Sequence, residues 1–121
     1  MAIEHDIQVD GTLLRVTASG FDENYNQVLA YLQEIVGAAL KNKSSRILCD
    51  ERSLDYRIST LDTYELGEFA SKYASYIMRI AVVCHPSSLE DGKFYETVSV
   101  NRGLRIRVMT DMEEAIAWIG E

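Results

Sequence analysis

Ile3, His5, Ile7 and Val9 alternate with Glu4, Asp6 and Gln8, the period-2 pattern of a half-buried strand. Asp10-Gly11 follows and supplies residues that tolerate the positive φ of a tight hairpin turn. Leu14, Val16 and Ala18 then alternate with Arg15 and Thr17, so residues 2–18 are predicted as a two-stranded antiparallel unit. From Tyr25 the period changes. Tyr25, Val28, Leu29, Leu32, Ile35, Val36, Ala39 and Leu40 recur at helical spacing, which predicts a helix burying one face, capped by Asp22 and closed by the cations of Lys41-Asn42-Lys43-Ser44.

Arg46-Ile47-Leu48-Cys49-Asp50 is a short apolar run that suits a buried parallel strand, entering a polar loop from Glu51 to Ser59. Ser59 or Thr60 can cap a second helix whose core stripe is Leu61, Leu66, Phe69, Ala70, Tyr73 and Ile77. Arg79 to Cys84 is β-branched and apolar after its first residue, the composition of a strand covered on both faces and expected at the sheet's centre. His85-Pro86 breaks it. Ser87-Ser88-Leu89-Glu90 reads as a capping box for a third helix with Leu89, Phe94, Tyr95 and Val98 inward, ending at Asn101-Arg102-Gly103. Leu104, Ile106 and Val108 alternate with Arg105, Arg107 and Met109, so the last strand keeps a wet face and belongs at an edge. A second capping box, Thr110-Asp111-Met112-Glu113, opens a closing helix with Met112, Ala115, Ile116 and Ile119 inward.

The order β-β-α-β-α-β-α-β-α predicts an α/β fold with a mixed five-stranded sheet, antiparallel in the hairpin and parallel elsewhere. In such sheets ligand or partner chemistry gathers at the carboxyl ends of the strands, here residues 50–59 and 84–88. The 121 residues are enough for one core, and no Gly/Ser- or Pro-rich tract divides them, so 1–121 is expected to be a single domain. No stretch approaches the roughly 18 apolar residues that span a bilayer, and the first residues have no leader-like run. A cytoplasmic protein without stable membrane insertion is expected.

Charge narrows the partners. With 19 acidic against 12 basic side chains, the net charge of −7 repels phosphate backbones and argues against nucleic acid. Cys49 and Cys84 are too few and too far apart for a disulfide scaffold or a zinc motif, which fits a reducing compartment. They fall near the ends of two strands expected to adjoin, with His85 next in sequence, but two cysteines in apolar strands are ordinarily core residues. Asp50, Glu51 and Asp55 could offer oxygen ligands to a hard cation; with Arg52 and Arg57 interleaved they read instead as a solvated, self-compensating loop. Lone His5 reads as a core or edge histidine. Neither a glycine-rich phosphate cradle nor a Gly-x-Ser-x-Gly elbow is present. No catalytic, metal or cofactor site is therefore expected. Of the seven tyrosines, Tyr31, Tyr56, Tyr76 and Tyr95 are expected to be partly exposed, as a protein-binding surface prefers.

The hydroxyls of Ile58-Ser59-Thr60-Leu61 open the second helix, where a phosphate would meet unpaired N–H groups. Together with Ile47-Leu48-Cys49-Asp50 and the element order, this segment resembles the STAS domain, the fold of bacterial anti-sigma factor antagonists, and most of all STAS-like proteins of unassigned function. In regulatory members a strand ends in Asp or Asn, and a downstream Asp-Ser-Ser-Gly opens a helix whose first Ser is phosphorylated. Asp50 and Ser59 match those positions, whereas Ile58, Thr60 and Leu61 stand where the family has Asp, Ser and Gly. The resemblance implies a non-enzymatic regulatory module that binds a partner protein, or a second copy of itself, through the second helix and the strand ends. Ser59 and Thr60 are its phosphorylation candidates, and Asp50, Leu54, Tyr56, Ile58, Leu61, Cys84 and His85 its contact candidates. The alternative is a small-molecule or lipid-binding domain with a pocket at the loop 51–59, lined by Leu54, Tyr56, Phe69 and Cys84.

Overall fold

Gly11, at a φ of 61°, turns β1 (Ile3–Asp10) back onto β2 (Leu13–Phe21) in an antiparallel ladder that pairs Ile3 with Gly20 and Asp10 with Leu13. Asp10 therefore stays in the strand, and Gly11 alone of the predicted turn pair needs positive φ. The computed structural model describes residues 3–22, 24–57 and 59–120. After the hairpin come α1 (Tyr25–Asn42), β3 (Arg46–Asp55), α2 (Thr60–Ser71), β4 (Arg79–Cys84), α3 (Leu89–Asn101), β5 (Ile106–Met109) and α4 (Met112–Ile119). Strand order across the sheet is β1-β2-β3-β4-β5, parallel from β2 onward. This is the predicted α/β topology with β5 at the edge, although Met109, assigned to the wet face, is buried against α4.

β3, not β4, is the middle strand. β4 is nonetheless paired on both sides and buried from Ala81 to Cys84, because helices cover both faces. One face carries α1, α2 and α3 over a core that includes Leu14, Val16, Ile47 and Val82. The other carries α4 alone, whose Ala115 and Ile119 pack on Leu48, Ala81 and Val83. Arg79 fastens α4 to the sheet by donating to the Trp118 carbonyl at 2.7 Å while lying over the indole ring.

Several helix ends differ from the sequence reading. Asn24, not Asp22, caps α1, accepting from the Gln27 N–H at 3.0 Å. Asp22 is buried and accepts from the Arg57 N–H, tying the end of β2 to the chain leaving β3. The Ser87–Glu90 box does not form: His85 Nδ1 accepts from the Ser87 N–H at 3.1 Å and opens a short 3₁₀ turn, Pro86–Ser88, ahead of α3. Asp111 caps α4 through the Glu113 N–H, one residue later than the second predicted box. Replacing Asn24 by alanine is expected to cost about 1 kcal/mol, the usual loss of an N-cap acceptor, read as a lower urea midpoint at unchanged slope.

Candidate functional site

β3 runs five residues past the point where a polar loop was expected. It does so because β2 continues to Phe21 and offers a parallel partner for Ser53, Leu54 and Asp55. Thr17 pairs with Asp50 and Ser19 with Ser53, so Glu51 and Arg52 together oppose the single residue Ala18. That bulge changes the phase of the alternation. Ile47, Cys49 and Glu51 face the three-helix side before it, and Leu54 returns to the same side after it.

Glu51 is consequently a core residue. One carboxylate oxygen accepts from the Tyr31 hydroxyl of α1 at 2.8 Å, and the other from the hydroxyl of Tyr56. Burial raises the Glu51 carboxyl above its ordinary value, outweighing the two phenols that favour the ionised form. Tyr31, Tyr56 and Tyr95 are all pushed up, first by burial and then by the Glu51 charge, so they remain neutral hydroxyls. Tyr31 is only 4% exposed, contrary to its predicted place on a surface. The signal was available: Tyr31 lies three residues after Val28 and four before Ile35, and Glu51 an even number of places after Ile47 and Cys49.

The flanking charges do compensate each other as expected. Asp50 accepts from the Arg52 guanidinium at 2.9 and 2.8 Å, which lowers its carboxyl below the ordinary value, and Arg57 pairs with Asp55 at 2.8 Å. Among the described residues no group of three or more His, Cys, Asp or Glu is placed to hold a metal ion.

The two cysteines are offset rather than equivalent: Cys49 pairs with Val82 and Cys84 with Glu51. Both thiols are buried and raised by desolvation, the opposite of a reactive thiolate. His85 is exposed and occupied in capping, its Nδ1 also 2.8 Å from the Ser87 hydroxyl. The imagined Cys/His pairing has no geometry to support it.

Beneath the helices lies a cavity of about 110 Å³, with Glu51, Tyr31, Tyr56 and Leu54 in its wall. Cys49 lines it rather than Cys84, and Phe69 instead packs edge-on against Tyr73. At the strand ends β3 overhangs β4, whose last rung is Glu51 with Cys84. The unpaired side of that overhang forms an open surface groove of about 230 Å³ with Arg52, Asp55, His85 and Ser87.

Ser59 caps α2 by accepting from the Asp62 N–H at 3.2 Å. Thr60 and Leu61 follow on the exposed first turn, and Leu61 faces solvent at 66%, not the core stripe it was assigned to. Leu54 and Cys84 are buried and Tyr56 half-buried, so of the contact candidates Asp50, Leu61 and His85 reach the surface. Ile58 lies outside the described residues.

A family model described as a domain of unknown function, DUF4180, matches residues 16–119, and the chain belongs to that family. No curated protein is significantly similar in sequence. Among solved structures, an anti-sigma factor antagonist from Mycobacterium paratuberculosis superposes with a TM-score of 0.68 at 11% identity, over 98% of this chain and 95% of that one. An uncharacterized DUF3478-family protein with a SpoIIAA-like fold from Shewanella loihica PV-4 gives 0.60 at 17% identity, over 98% and 94%. The fold is therefore the STAS-like fold of anti-sigma factor antagonists. No helix among the described residues is long and apolar enough to cross a membrane.

Proposed function

We propose that this member of the DUF4180 family is a non-enzymatic, cytoplasmic interaction module that binds a partner protein through the outer face of α2 and the adjoining strand ends. The observation that carries this reading is Leu61, the most exposed large apolar side chain among the described residues, one turn from half-exposed Tyr64. An aliphatic and an aromatic side chain presented together, at i and i+3 of one helix, are the kind of surface a protein partner dehydrates. The shared fold with an anti-sigma factor antagonist supports the same direction. Ser59 is the switch candidate: a phosphate there would sit at the helix's positive end, but in place of the cap bond to Asp62 and beside that residue's carboxylate. Asp50, on the α4 side of β3, and exposed His85 would contribute from the strand ends and not from α2, whereas Leu54 and Cys84 are buried.

The test is affinity capture from the source organism with wild type, Leu61→Asp and Ser59→Asp in parallel, quantified by mass spectrometry. One partner should be retained by the wild type and reduced about tenfold or more by Leu61→Asp, a loss of about 1.4 kcal/mol. Leu61 is already in water, so the variant's melting temperature should stay unchanged. Equal capture by all three proteins, or none by the wild type, contradicts the reading.

A further inference from the structure

The interior cavity is not used by the surface reading, and its wall has a definite chemistry. Among the described residues that line it, three carry carboxyl groups, Asp22, Glu51 and Asp91, and none is Lys, Arg or His. Nearly all the rest of the wall is apolar, including Ile35 and Val36 of α1, Ile47 of β3 and Val82 of β4. Glu51 is the polar focus. A carboxylate offers about four lone-pair sites. Two are taken by Tyr31 and Tyr56, so each oxygen keeps acceptor capacity with no cation to meet it.

A buried carboxylate without a counter-charge prefers a cationic guest to an anionic one of the same shape, and an ammonium can offset its lost hydration by donating to the free lone pairs of both oxygens. An anionic guest would meet the like charge of Glu51. A cavity of about 150 Å³ elsewhere accommodates benzene, so about 110 Å³ suits a guest of about four to five non-hydrogen atoms, head group included. Asp91 is exposed and Thr63 half-buried, which puts the cavity's rim between α2 and α3.

We infer that this cavity binds a small apolar amine, with its ammonium group on Glu51 and its hydrocarbon part among Ile35, Ile47 and Val82. Recognition requires the head group to be a cationic donor and the tail to be compact. Tyr31 and Tyr56 hold the carboxylate in place from two sides and so act as positioning residues.

The probes are 2-methylpropylamine, 2-methylpropan-1-ol and 2-methylpropanoate, which share a branched tail and differ in the charge of the head. Each is titrated into the full chain by calorimetry and by thermal shift. The amine should raise the melting temperature most, the alcohol less, and the carboxylate not at all. Glu51→Gln should weaken the amine about tenfold or more and leave the alcohol within about twofold. Ala70→Leu, which fills the cavity from α2, should abolish both. Methyl NMR of the wild type gives a readout that needs no variant: the amine should move Ile35, Ile47 and Val82. Equal responses to amine and carboxylate, an undiminished amine response in Glu51→Gln, or unmoved methyls in these three residues overturn the assignment.

Discussion

Tyr31→Phe should cost about 1.5–3 kcal/mol at pH 8 but only about 1 kcal/mol at pH 4, measured by urea unfolding followed through Trp118 fluorescence. The reason is the state of its partner. At high pH the phenol donates to an ionised, buried carboxylate, and its loss removes a charge-assisted bond; at low pH it meets a neutral carboxyl. Burial raises Glu51 in the folded state above its ordinary value of 4.5. The folded protein therefore holds this proton more tightly than the unfolded chain, so Glu51's contribution to stability is full below that value and is lost as pH rises through the folded one. Glu51→Gln should remove this share of the pH dependence, raising stability relative to wild type progressively towards alkaline pH. In the glutamine background, Tyr31→Phe should cost the same at both pH values. A cost independent of pH in the wild-type background as well would show that Glu51 does not titrate where its burial requires.

Glycine-to-alanine changes should divide sharply by position. A Cβ on Gly92 would stand 2.6 Å from Val108 Cγ1, and one on Gly67 would stand 2.7 Å from Val98 Cγ1. Each contact joins α3 to a neighbour, β5 in the first case and α2 in the second, and valine has no flexible end to move aside. Overpacking of this kind costs about 1–3 kcal/mol. Alanine recovers up to about 1 kcal/mol of helix propensity, so both variants should be net destabilised, seen as a lower thermal midpoint. Gly37 is the control. It is exposed on α1 with nothing within 4 Å of the added atom, so Gly37→Ala should stabilise by about 0.5–1 kcal/mol. A loss at Gly37 equal to that at Gly92 would place the effect in the backbone and not in packing.

The parts of the molecule governed by local periodicity were legible in the residues. The hairpin, the four helices and the parallel order follow from alternation and helical stripes whose cores are mostly where expected, as with Ile35, Ala39, Leu66 and Val98. What could not be read locally depends on partners distant in sequence. Glu51 sits in an acidic run and looks solvated; its phase with Ile47 and Cys49 was visible, but that β3 continues through it depends on the extension of β2, and its hydroxyl partner lies twenty residues earlier. Leu61 occupies a helical apolar position, but α2 buries Leu66 and Ala70 and turns Leu61 outward. Asp22 has the chemistry of a cap; the chain leaving β3 claims its carboxylate first. The residues read as site candidates do lie about the carboxyl end of β3, where Glu51, read as part of a solvated loop, is buried.

The carboxyl end of β3 is built around a buried, tyrosine-held glutamate and not around a solvated acidic loop. Carboxyl-carbon NMR of the glutamate-labelled protein, assigned by Glu51→Gln and titrated from acid to alkaline pH, tests it most directly. The Glu51 resonance should titrate with a midpoint above 4.5 and move further up in Tyr31→Phe. A midpoint at or below 4.5, unmoved by that substitution, would contradict it.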